Sequence, residues 1–434
     1  MVIKRWKQLL EHLAIDEHAI SDEQVLALES WCTKHVSEDI KFTGSQEDKY
    51  LALQEYLSHY FTTICACQSD NLTDKPTLLG GMNCIQYAAS KGYDRYLTQV
   101  LEGTSDKKRL VNDATAVGIT ALHLSALKGH LKSTEVLLSH GADTAKKSRL
   151  KQTPLHFSLT VPSGASEEVK ARKLAIYNQL QTVAPSLIQE EDISGTTVAH
   201  LAAQNGFTDT LTSLMRDYPA LVLKKNSSQQ SCLHIAILNR RFSTANLLTA
   251  IPHLLSLADG DGKKPVHYAA RYADTALLNA CLGPEIGVNE EDHYKRTPLH
   301  FAASAGNLDA VIFLVERGAN ASKQDVRGFT AFHYAVESRN KALVRWLKEN
   351  TSVDINQPDA RGRSAFMNLL ADSTAMDTKT EELIEYLMDE GADLSMRDIS
   401  GNSAQDYLDQ LSARGININT DITRKMAGTS HASP

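Results

Sequence analysis

The chain has 434 residues, of which 42% are hydrophobic and 22% charged, and its formal net charge at pH 7 is -7. This composition is typical of an ordinary soluble protein. The acidic balance argues against general nucleic-acid binding, which needs a basic surface. No run of 18 apolar residues occurs, so we expect no transmembrane segment. The first residues lack the apolar stretch of a signal peptide, and we expect a soluble, cytoplasmic protein.

The six cysteines are scattered along the chain, as is typical of thiols that fill small core positions in a reducing compartment. Cys65 and Cys67 lie two residues apart, but no further cysteine or histidine completes a zinc-binding spacing. The sequence contains no phosphate-binding loop of the G-x-x-x-x-G-K type and no H-E-x-x-H motif. We therefore expect no catalytic residue, no cofactor and no metal site.

Residues 1–78 have helical periodicity but do not share the repeat that follows them. Trp6, Leu9 and Leu13, for example, recur at helical spacing. Two interpretations are open: a helical cap over the end of the first repeat, or a separate activity such as an adaptor-recruiting motif. We favour the cap, because the end of a stacked array needs covering. The polar segment 71–76 marks the boundary.

From residue 79 onward one pattern recurs: a polar residue, a helix-starting residue, an apolar residue and a histidine. In the clearest copy, Thr297 can accept a bond from a free backbone N–H, and Pro298 suits the first helical position. Gly306 ends that helix by adopting a positive φ. The seven histidines, spaced 33, 44, 34, 33, 33 and 33 residues apart, are His123, His156, His200, His234, His267, His300 and His333.

This pattern and its 33-residue period resemble the ankyrin repeat. Degenerate copies at residues 83–89, 364–370 and 401–404 extend it, so that the resemblance covers roughly residues 80–410. It implies an all-α ankyrin-repeat solenoid of about nine or ten helix–turn–helix repeats, behind an N-terminal helical cap. One helix pair cannot bury its own apolar face, so the repeats are expected to stack.

A narrower resemblance is carried by residues 82–97, MNCIQYAASKGYDRYL. They are similar to the first repeats of ankyrin effectors that intracellular bacteria secrete into host cells. This implies a host protein as partner and the host cytosol as a destination. The small, polar end of the chain, residues 426–434, is then either a frayed terminus or a secretion signal.

Two inserts interrupt the period. The 44-residue step after His156 leaves about eleven extra residues, and residues 161–168 lie where the first helix of the third repeat should meet the second. Because inserts fall in surface loops, we expect a protruding loop and a lengthened second helix. The expected organisation is a helical region at 1–78, an array at 79–410 with inserts near 160–170 and 372–380, and a partly disordered tail at 411–434.

The histidines invite a metal-site interpretation, which their spacing argues against. One histidine per repeat places neighbours about 10 Å apart, the spacing of packed helices, and this is too far to share a metal ion. The resemblance instead implies that each histidine bonds within and between repeats. We expect a structural role for them.

The surface remains as the functional candidate. Ankyrin proteins bind through hairpin tips and the ends of first helices, and tyrosine, arginine and phenylalanine dominate binding hot spots. The alternative is ordinary variation at solvated positions. The predicted partner-binding residues are Arg271, Tyr272, His293, Tyr294, Arg296, Arg327, Phe329 and Arg361.

A second candidate is a basic patch on the hairpin before the third repeat, which would suit an acidic or phosphorylated partner. The alternative is a solvated hairpin tip. Its members are Lys146, Lys147, Arg149 and Lys151.

These features predict a monomeric, non-enzymatic protein-interaction module whose concave groove binds a protein partner. An enzyme is the competing prediction, with its chemistry in residues 1–78 or in a repeat insert and the array recruiting the substrate. A scaffold that associates with itself is the third.

Overall fold

The structure is a computed structural model that describes residues 82–162, 164–283, 286–373, 377–416, 419 and 422–425. Within these ranges it is helical, without strands apart from an isolated bridge between Ala114 and Thr120. The predicted cap at 1–78 and the predicted secretion signal at 426–434 lie outside the described residues. The described chain divides into two compact units, with the division between Leu201 and Ala202.

Nine pairs of helices follow one another in the described part of the chain, and the first helix of a tenth pair ends it. The pairs are α1 and α2 (Cys84–Lys91, Asp94–Gly103), α4 and α5 (Ala121–Lys128, Leu131–Ser139), α6 and α7 (Pro154–Leu159, Glu167–Val183), α8 and α9 (Val198–Asn205, Thr208–Asp217), α11 and α12 (Cys232–Leu238, Phe242–Thr249), α14 and α15 (Pro265–Tyr272, Thr275–Leu282), α16 and α17 (Pro298–Ser304, Leu308–Glu316), α18 and α19 (Ala331–Glu337, Lys341–Asn350), and α20 and α21 (Ala365–Ala371, Thr378–Asp389), followed by α22 (Ala404–Ala413). Short helices α3 (Lys107–Asn112), α10 (Pro219–Val222) and α13 (Pro252–Ser256) and a 3₁₀ helix (Pro185–Gln189) follow some second helices.

Each unit is built of two layers of helices. In the second unit, α14, α16, α18 and α20 pack on one another in order, and the second helices α15, α17, α19 and α21 do the same. Leu299, Ala302 and Ala303 of α16 are fully buried between these layers. The alanines bring the neighbouring helices close together, and the stack supplies the buried surface that a single pair lacks.

The repeated histidine bonds the backbone at the start of the first helix to which it belongs. In all seven copies its Nδ1 accepts the backbone N–H three residues earlier, at 3.0–3.3 Å. Six of the seven also have a serine or threonine hydroxyl at Nδ1, for example Thr297 Oγ1 at 2.8 Å from His300. A backbone N–H can only donate, so Nδ1 carries no proton and each ring is the neutral tautomer protonated at Nε2.

The Nε2–H then reaches into the next repeat. His300 donates to the carbonyl oxygens of Lys323 and Phe329, at 3.1 and 3.2 Å. Equivalent bonds of 3.0–3.3 Å join His123 to Gln152, His156 to Thr196, His234 to Lys263 and His267 to Glu290. The histidine therefore fastens one repeat to the hairpin of the next, which is a structural role.

The degenerate first copy reproduces this bridge with glutamine. Gln86 Oε1 accepts from the Asn83 N–H at 2.9 Å, and Gln86 Nε2 donates to the Asp113 carbonyl at 2.9 Å. An amide offers the same acceptor and donor as a neutral imidazole but does not titrate. Met367 occupies the position in the ninth repeat and can make neither bond.

A second repeated device shapes the hairpins that precede the first helices. Asp325 Oδ1 accepts the N–H groups of Arg327 and Phe329, at 2.8 and 2.9 Å. The same two bonds, to the second and fourth residues along, are made by Asp192, Asp259, Asp292, Asp359 and Asp398. One carboxylate thus fixes the whole tip of each of these hairpins.

Neighbouring hairpins are joined by single backbone hydrogen bonds. In the second unit the bonds of 2.9–3.0 Å run from Gly260 to Ser228, His293 to Asp261, Val326 to Tyr294, Ala360 to Arg327 and Ile399 to Arg361. In the first unit Arg149 donates to Val117 and Ile193 to Leu150. The tips of adjacent repeats are therefore held in register.

The third repeat has a long second helix, α7, of 17 residues, after a loop at residues 160–166. Lys173 of this helix is 1% exposed, and its ammonium donates to the carbonyls of Ala126 and Phe157 at 3.1 and 3.2 Å. Burial lowers the pKa of this amine to about 8. The bonds attach α7 to the first helices of the second and third repeats.

Burial also lowers the pKa of the repeat histidines. It is about 4 for His123 and His234, and it is lowered from the ordinary value of 6.5 for His156, His267, His300 and His333. Between pH 6.5 and about 4 the unfolded chain therefore binds more protons than the folded chain. Each such histidine stabilises the fold fully above pH 6.5 and loses that contribution as the pH falls, at up to about 1.4 kcal/mol per pH unit.

We predict that His300→Ala lowers the free energy of unfolding by about 1–3 kcal/mol, because it leaves buried polar groups unpaired. His300→Gln should cost less, because Gln86 makes both bonds in the first repeat. It should also lose less stability than the wild type between pH 7.5 and pH 5, because glutamine does not titrate. Urea unfolding at the two pH values measures this. Equal stability of the alanine variant and the wild type, or an unchanged pH dependence in the glutamine variant, would contradict it.

Gly328 allows a second stability test. Its φ is +76°, and a Cβ there would lie 2.5 Å from the backbone nitrogen of Ala360 in the next hairpin. Gly318 has a φ of +87° but open space around the Cβ position. Both alanine variants carry the backbone strain of a positive φ, about 1 kcal/mol or more. We predict that Gly328→Ala lowers the melting temperature well beyond Gly318→Ala, since it alone pushes two hairpins apart; equal shifts would show that the hairpins tolerate separation.

Candidate protein-binding surface

The hairpin tips of the second unit bring three predicted residues into one row. Tyr294, Arg327 and Arg361 each lie two positions after the hairpin aspartate, and the carbonyl of each accepts the backbone bond from the next hairpin. They therefore occupy equivalent places in three consecutive repeats. Tyr294 is 46% exposed, and the two arginines are exposed.

The guanidinium of Arg296 lies against the ring of Tyr294. It lies 4.9 Å from the Tyr294 ring centre and 4.8 Å from that of Phe301. Nε and Nη2 of Arg296 both bond Asp292 Oδ2, at 2.9 and 2.7 Å. Because two nitrogens of the guanidinium bond the same carboxylate oxygen, the tyrosine ring lies against a cation that is held in place.

Arg327 forms a similar stack one repeat further. Its guanidinium carbon lies 4.1 Å from the Phe329 ring centre, and Nη2 donates to the Tyr334 hydroxyl at 2.9 Å. The Tyr334 hydroxyl donates in turn to Asp325 at 2.7 Å, and burial together with that carboxylate raises the pKa of Tyr334 to about 12. Arg327 is thus the exposed end of a buried polar chain.

The structure corrects the prediction for Phe329. It is 7% exposed and stacks on His333 with ring centres 5.1 Å apart, so it presents little surface to a partner at the hairpin tip. The reason is its place one residue after the turn glycine. Arg363, which follows Gly362, is likewise buried, at 8% exposed, whereas Arg327 and Arg361, which precede the glycines, are exposed. Phe329 instead acts as the platform on which Arg327 lies.

Arg271 and Tyr272 lie at the end of the first helix α14. Tyr272 is half-buried, with the guanidinium groups of Arg271 and Arg240 at 5.5 and 5.9 Å from its ring centre. His293 lies on the hairpin tip beside Tyr294 and is exposed. A Cβ at Gly262, where φ is +81°, would come within 2.4 Å of the His293 ring, so this hairpin requires glycine.

The predicted set omitted two exposed residues of the same row. Ile399 is 78% exposed on the tenth hairpin and donates its N–H to the Arg361 carbonyl at 2.9 Å. Val326, 53% exposed, occupies the same place beside Arg327. The D-x-x-G pattern Asp398–Gly401 was the signal that could have found Ile399. We call His293, Tyr294, Val326, Arg327, Arg361 and Ile399 the tip row.

In the first unit the basic patch is mixed with apolar side chains. Lys146, Lys147, Arg149 and Lys151 are all exposed, and Lys147 bonds Glu190 at 2.6 Å, so one of the four charges is already paired. Exposed apolar side chains on this hairpin and on its two neighbours accompany them, namely Leu150, Val117 and Ile193 at 54%, 47% and 59%.

Two thiols in the described part of the chain are buried in the core. Burial raises the pKa of Cys232 and Cys281 to about 12, so neither is a thiolate at neutral pH. Within the described ranges no group of three or more histidine, cysteine or acidic side chains is placed to hold a metal ion. The helices described in the structure include none long and apolar enough to cross a bilayer.

Family models match the chain in two places. A model of three ankyrin repeats covers residues 266–359, and a single-repeat model covers residues 117–149. These segments are ankyrin repeats. The all-helical ankyrin-repeat fold expected from the 33-residue period is thereby confirmed.

Relatives share the repeat region. Mouse Rabankyrin-5 is 31% identical over 161 residues, covering 36% of this chain and 14% of that protein. A channel subunit homologue of Caenorhabditis elegans, transient receptor potential cation channel subfamily A member 1, is 27% identical over 188 residues, covering 43% and 15%. An ankyrin repeat protein of fowlpox virus is 24% identical over 283 residues, covering 62% and 38%.

The chain thus spans well under half the length of these three relatives. They are animal and viral proteins, and they lend no support to the resemblance with bacterial effectors. Among solved structures, the ankyrin repeat domain of Bcl-3 aligns with 51% of this chain and 100% of its own, at 22% identity and a TM-score of 0.41. Ankyrin repeats of this kind indicate a protein–protein interaction module.

Proposed function

We propose that the tip row and the arginine–aromatic stacks below it form the surface through which this array binds a protein partner. The proposal rests on one observation: Tyr294, Arg327 and Arg361 occupy equivalent places on consecutive hairpins that are joined by backbone hydrogen bonds. An aromatic ring and two arginines aligned in this way have the composition of a binding hot spot.

The surface is ordered before a partner arrives. The hairpin aspartates fix the backbone at each tip, and Arg296 and Arg327 are held by Asp292 and by the Tyr334 hydroxyl. Side chains that are already immobile lose little conformational entropy on binding, so more of the contact energy appears as affinity. Exposed Val326 and Ile399 add apolar area beside the arginines.

The partner in this proposal is a protein, and the array acts as a monomer. The resemblance of residues 82–97 to secreted effectors would make that partner a host-cell protein and this chain an effector, with no support from the relatives. The competing enzyme hypothesis places its chemistry in residues 1–78 or in the third-repeat insert. No observation in the described part of the chain favours it.

The basic patch supports a second contact surface in the first unit. Lys146, Arg149 and Lys151 lie among the exposed apolar tips of Leu150 and Ile193. This mixture suits an acidic segment with apolar side chains, because charge steers the approach and apolar area slows the release.

We predict that Tyr294→Ala combined with Arg327→Ala lowers the affinity for a partner captured from cell lysate by about 30-fold, equivalent to about 2 kcal/mol. The matched control is Phe313→Ala with Arg317→Ala, another arginine–aromatic stack, 4.4 Å apart, on the second helix α17. Both double variants are checked for melting, and affinity is measured by calorimetry. Full affinity in the first variant, or equal losses in both, would place the binding surface elsewhere.

We predict that Lys146→Ala lowers the association rate of an acidic partner and reduces its salt dependence, while the dissociation rate and the melting temperature stay unchanged. Lys147→Ala should have the smaller effect, because Glu190 already pairs its charge. Stopped-flow measurements at several ionic strengths test this. An effect confined to the dissociation rate would argue against electrostatic steering.

A further inference from the structure

A cavity of about 230 Å³ lies between the first helices of the eighth and ninth repeats, α18 and α20. Phe329 and Leu369 form apolar parts of its lining, and Glu337, Asp372 and Asn368 form polar parts. Pockets for drug-sized ligands measure about 300–1,000 Å³. The volume therefore suits a single side chain of a bound protein segment.

One side chain in the lining distinguishes this place from its counterparts in other repeats. In the sixth, eighth and tenth repeats, a tyrosine nine residues after the hairpin aspartate donates its hydroxyl to that aspartate; these residues are Tyr268, Tyr334 and Tyr407. In the ninth repeat Asn368 takes this place and donates its amide to Asp359 Oδ2 at 3.0 Å. The shorter side chain leaves the space that a tyrosine ring would fill.

Asn368 also brings an acceptor with no donor. The residue is 7% exposed, and its carbonyl oxygen Oδ1 is buried without a hydrogen-bond partner. Leaving a buried acceptor unpaired costs about 1–3 kcal/mol, and such groups in native proteins require an explanation. A donor group entering the cavity would supply the missing bond.

The charges around the cavity favour a cation. Glu337 and Asp372 line it, and burial followed by the nearby carboxylates of Asp372 and Asp325 raises the pKa of Glu337, against the opposing effect of Arg327. Arg339 is the one cation in the lining, and it contributes to lowering the pKa of Asp377 outside it. Two carboxylates and the Asn368 carbonyl thus stand against Arg339 in the lining and Arg327 beside Glu337. The buried Nε2 of His333, also in the lining, has no hydrogen-bond partner either.

We propose that this cavity binds one arginine side chain of the protein segment that occupies the tip row. The guanidinium donates to Glu337, Asp372 and the Asn368 carbonyl, and the aliphatic stem lies against Leu369 and Phe329. Arginine fits better than lysine, because its planar group offers five donors to acceptors on two helices and is more weakly hydrated than an ammonium group. This inference rests on the proposed function and names the anchor that the surface selects.

The test uses the full chain with labelled alanine and leucine methyl groups. The probe is the peptide acetyl-Gly-Gly-Arg-Gly-Gly-amide. The control is the same peptide with citrulline, a neutral isostere of arginine, in place of arginine. We expect saturable shifts of the Ala365 and Leu369 methyl signals with a millimolar Kd for the arginine peptide, and binding at least tenfold weaker for citrulline. The proposal is overturned if these methyl signals do not shift, if the citrulline peptide binds equally well, or if the same peptide with lysine in place of arginine binds more tightly.

Charge-neutral variants supply the second arm. Glu337→Gln with Asp372→Asn should weaken binding of the arginine peptide at least tenfold. Asp309→Asn with Glu316→Gln, two exposed acids on α17, removes the same charge elsewhere and should leave binding unchanged. If both pairs of substitutions weaken binding equally, the peptide is attracted by the acidic protein in general, and the proposed site is wrong. If the captured partner needs Tyr294 and Arg327 but not Glu337 and Asp372, the proposed function stands and this inference fails.

Discussion

The neutral histidine at the start of seven of the first helices is the interaction on which the array depends. Its Nδ1 accepts from the chain that leads into its own helix, and in five repeats its Nε2 donates to the following hairpin. One buried ring therefore links helix initiation with repeat stacking. Neither helices of seven or eight residues nor an isolated hairpin would be stable alone. Stability in such an array comes largely from contacts between neighbours.

The hairpins at the surface are likewise fixed by one repeated side chain and by bonds between neighbouring repeats. An aspartate organises each tip, and a single backbone bond relates it to the next tip. At the two positions after each aspartate only the backbone takes part in these bonds, so the side chains there can vary. Function can therefore reside in Tyr294, Arg327 and Arg361 without a cost to the stack. The same separation explains why tips of such different character occur along one chain, basic and apolar in the first unit and rich in arginine stacks in the second.

The sequence was sufficient to predict the features that depend on a local motif and on the repeat period. The histidine roles follow from the resemblance to ankyrin repeats, and the outward place of Arg361 follows from the pattern Asp359–Gly362. The hairpin of Tyr294 has the same frame, with Lys295 at a φ of 58° in the glycine place. Phe329 was not predictable in this way, because the direction of a side chain after the turn depends on the helix it meets. The burial of Lys173 depends on carbonyls 47 and 16 residues away. The cavity beside Asn368 depends on the size of one side chain relative to its counterparts in other repeats.

The third repeat separates helix length from repeat register. Its histidine step is 44 residues, yet His156 still reaches the Thr196 carbonyl at 3.3 Å, and Ile193 still donates to Leu150 at 2.8 Å. The eleven added residues are absorbed by the loop at 160–166 and by α7, whose position the buried Lys173 secures. The hairpins therefore set the spacing along the stack. The length of the connection between the two helices of a repeat can change without altering that spacing. A foreign segment spliced into this loop would leave the hairpin at residues 192–196 in its place, which makes it the natural graft point of the array.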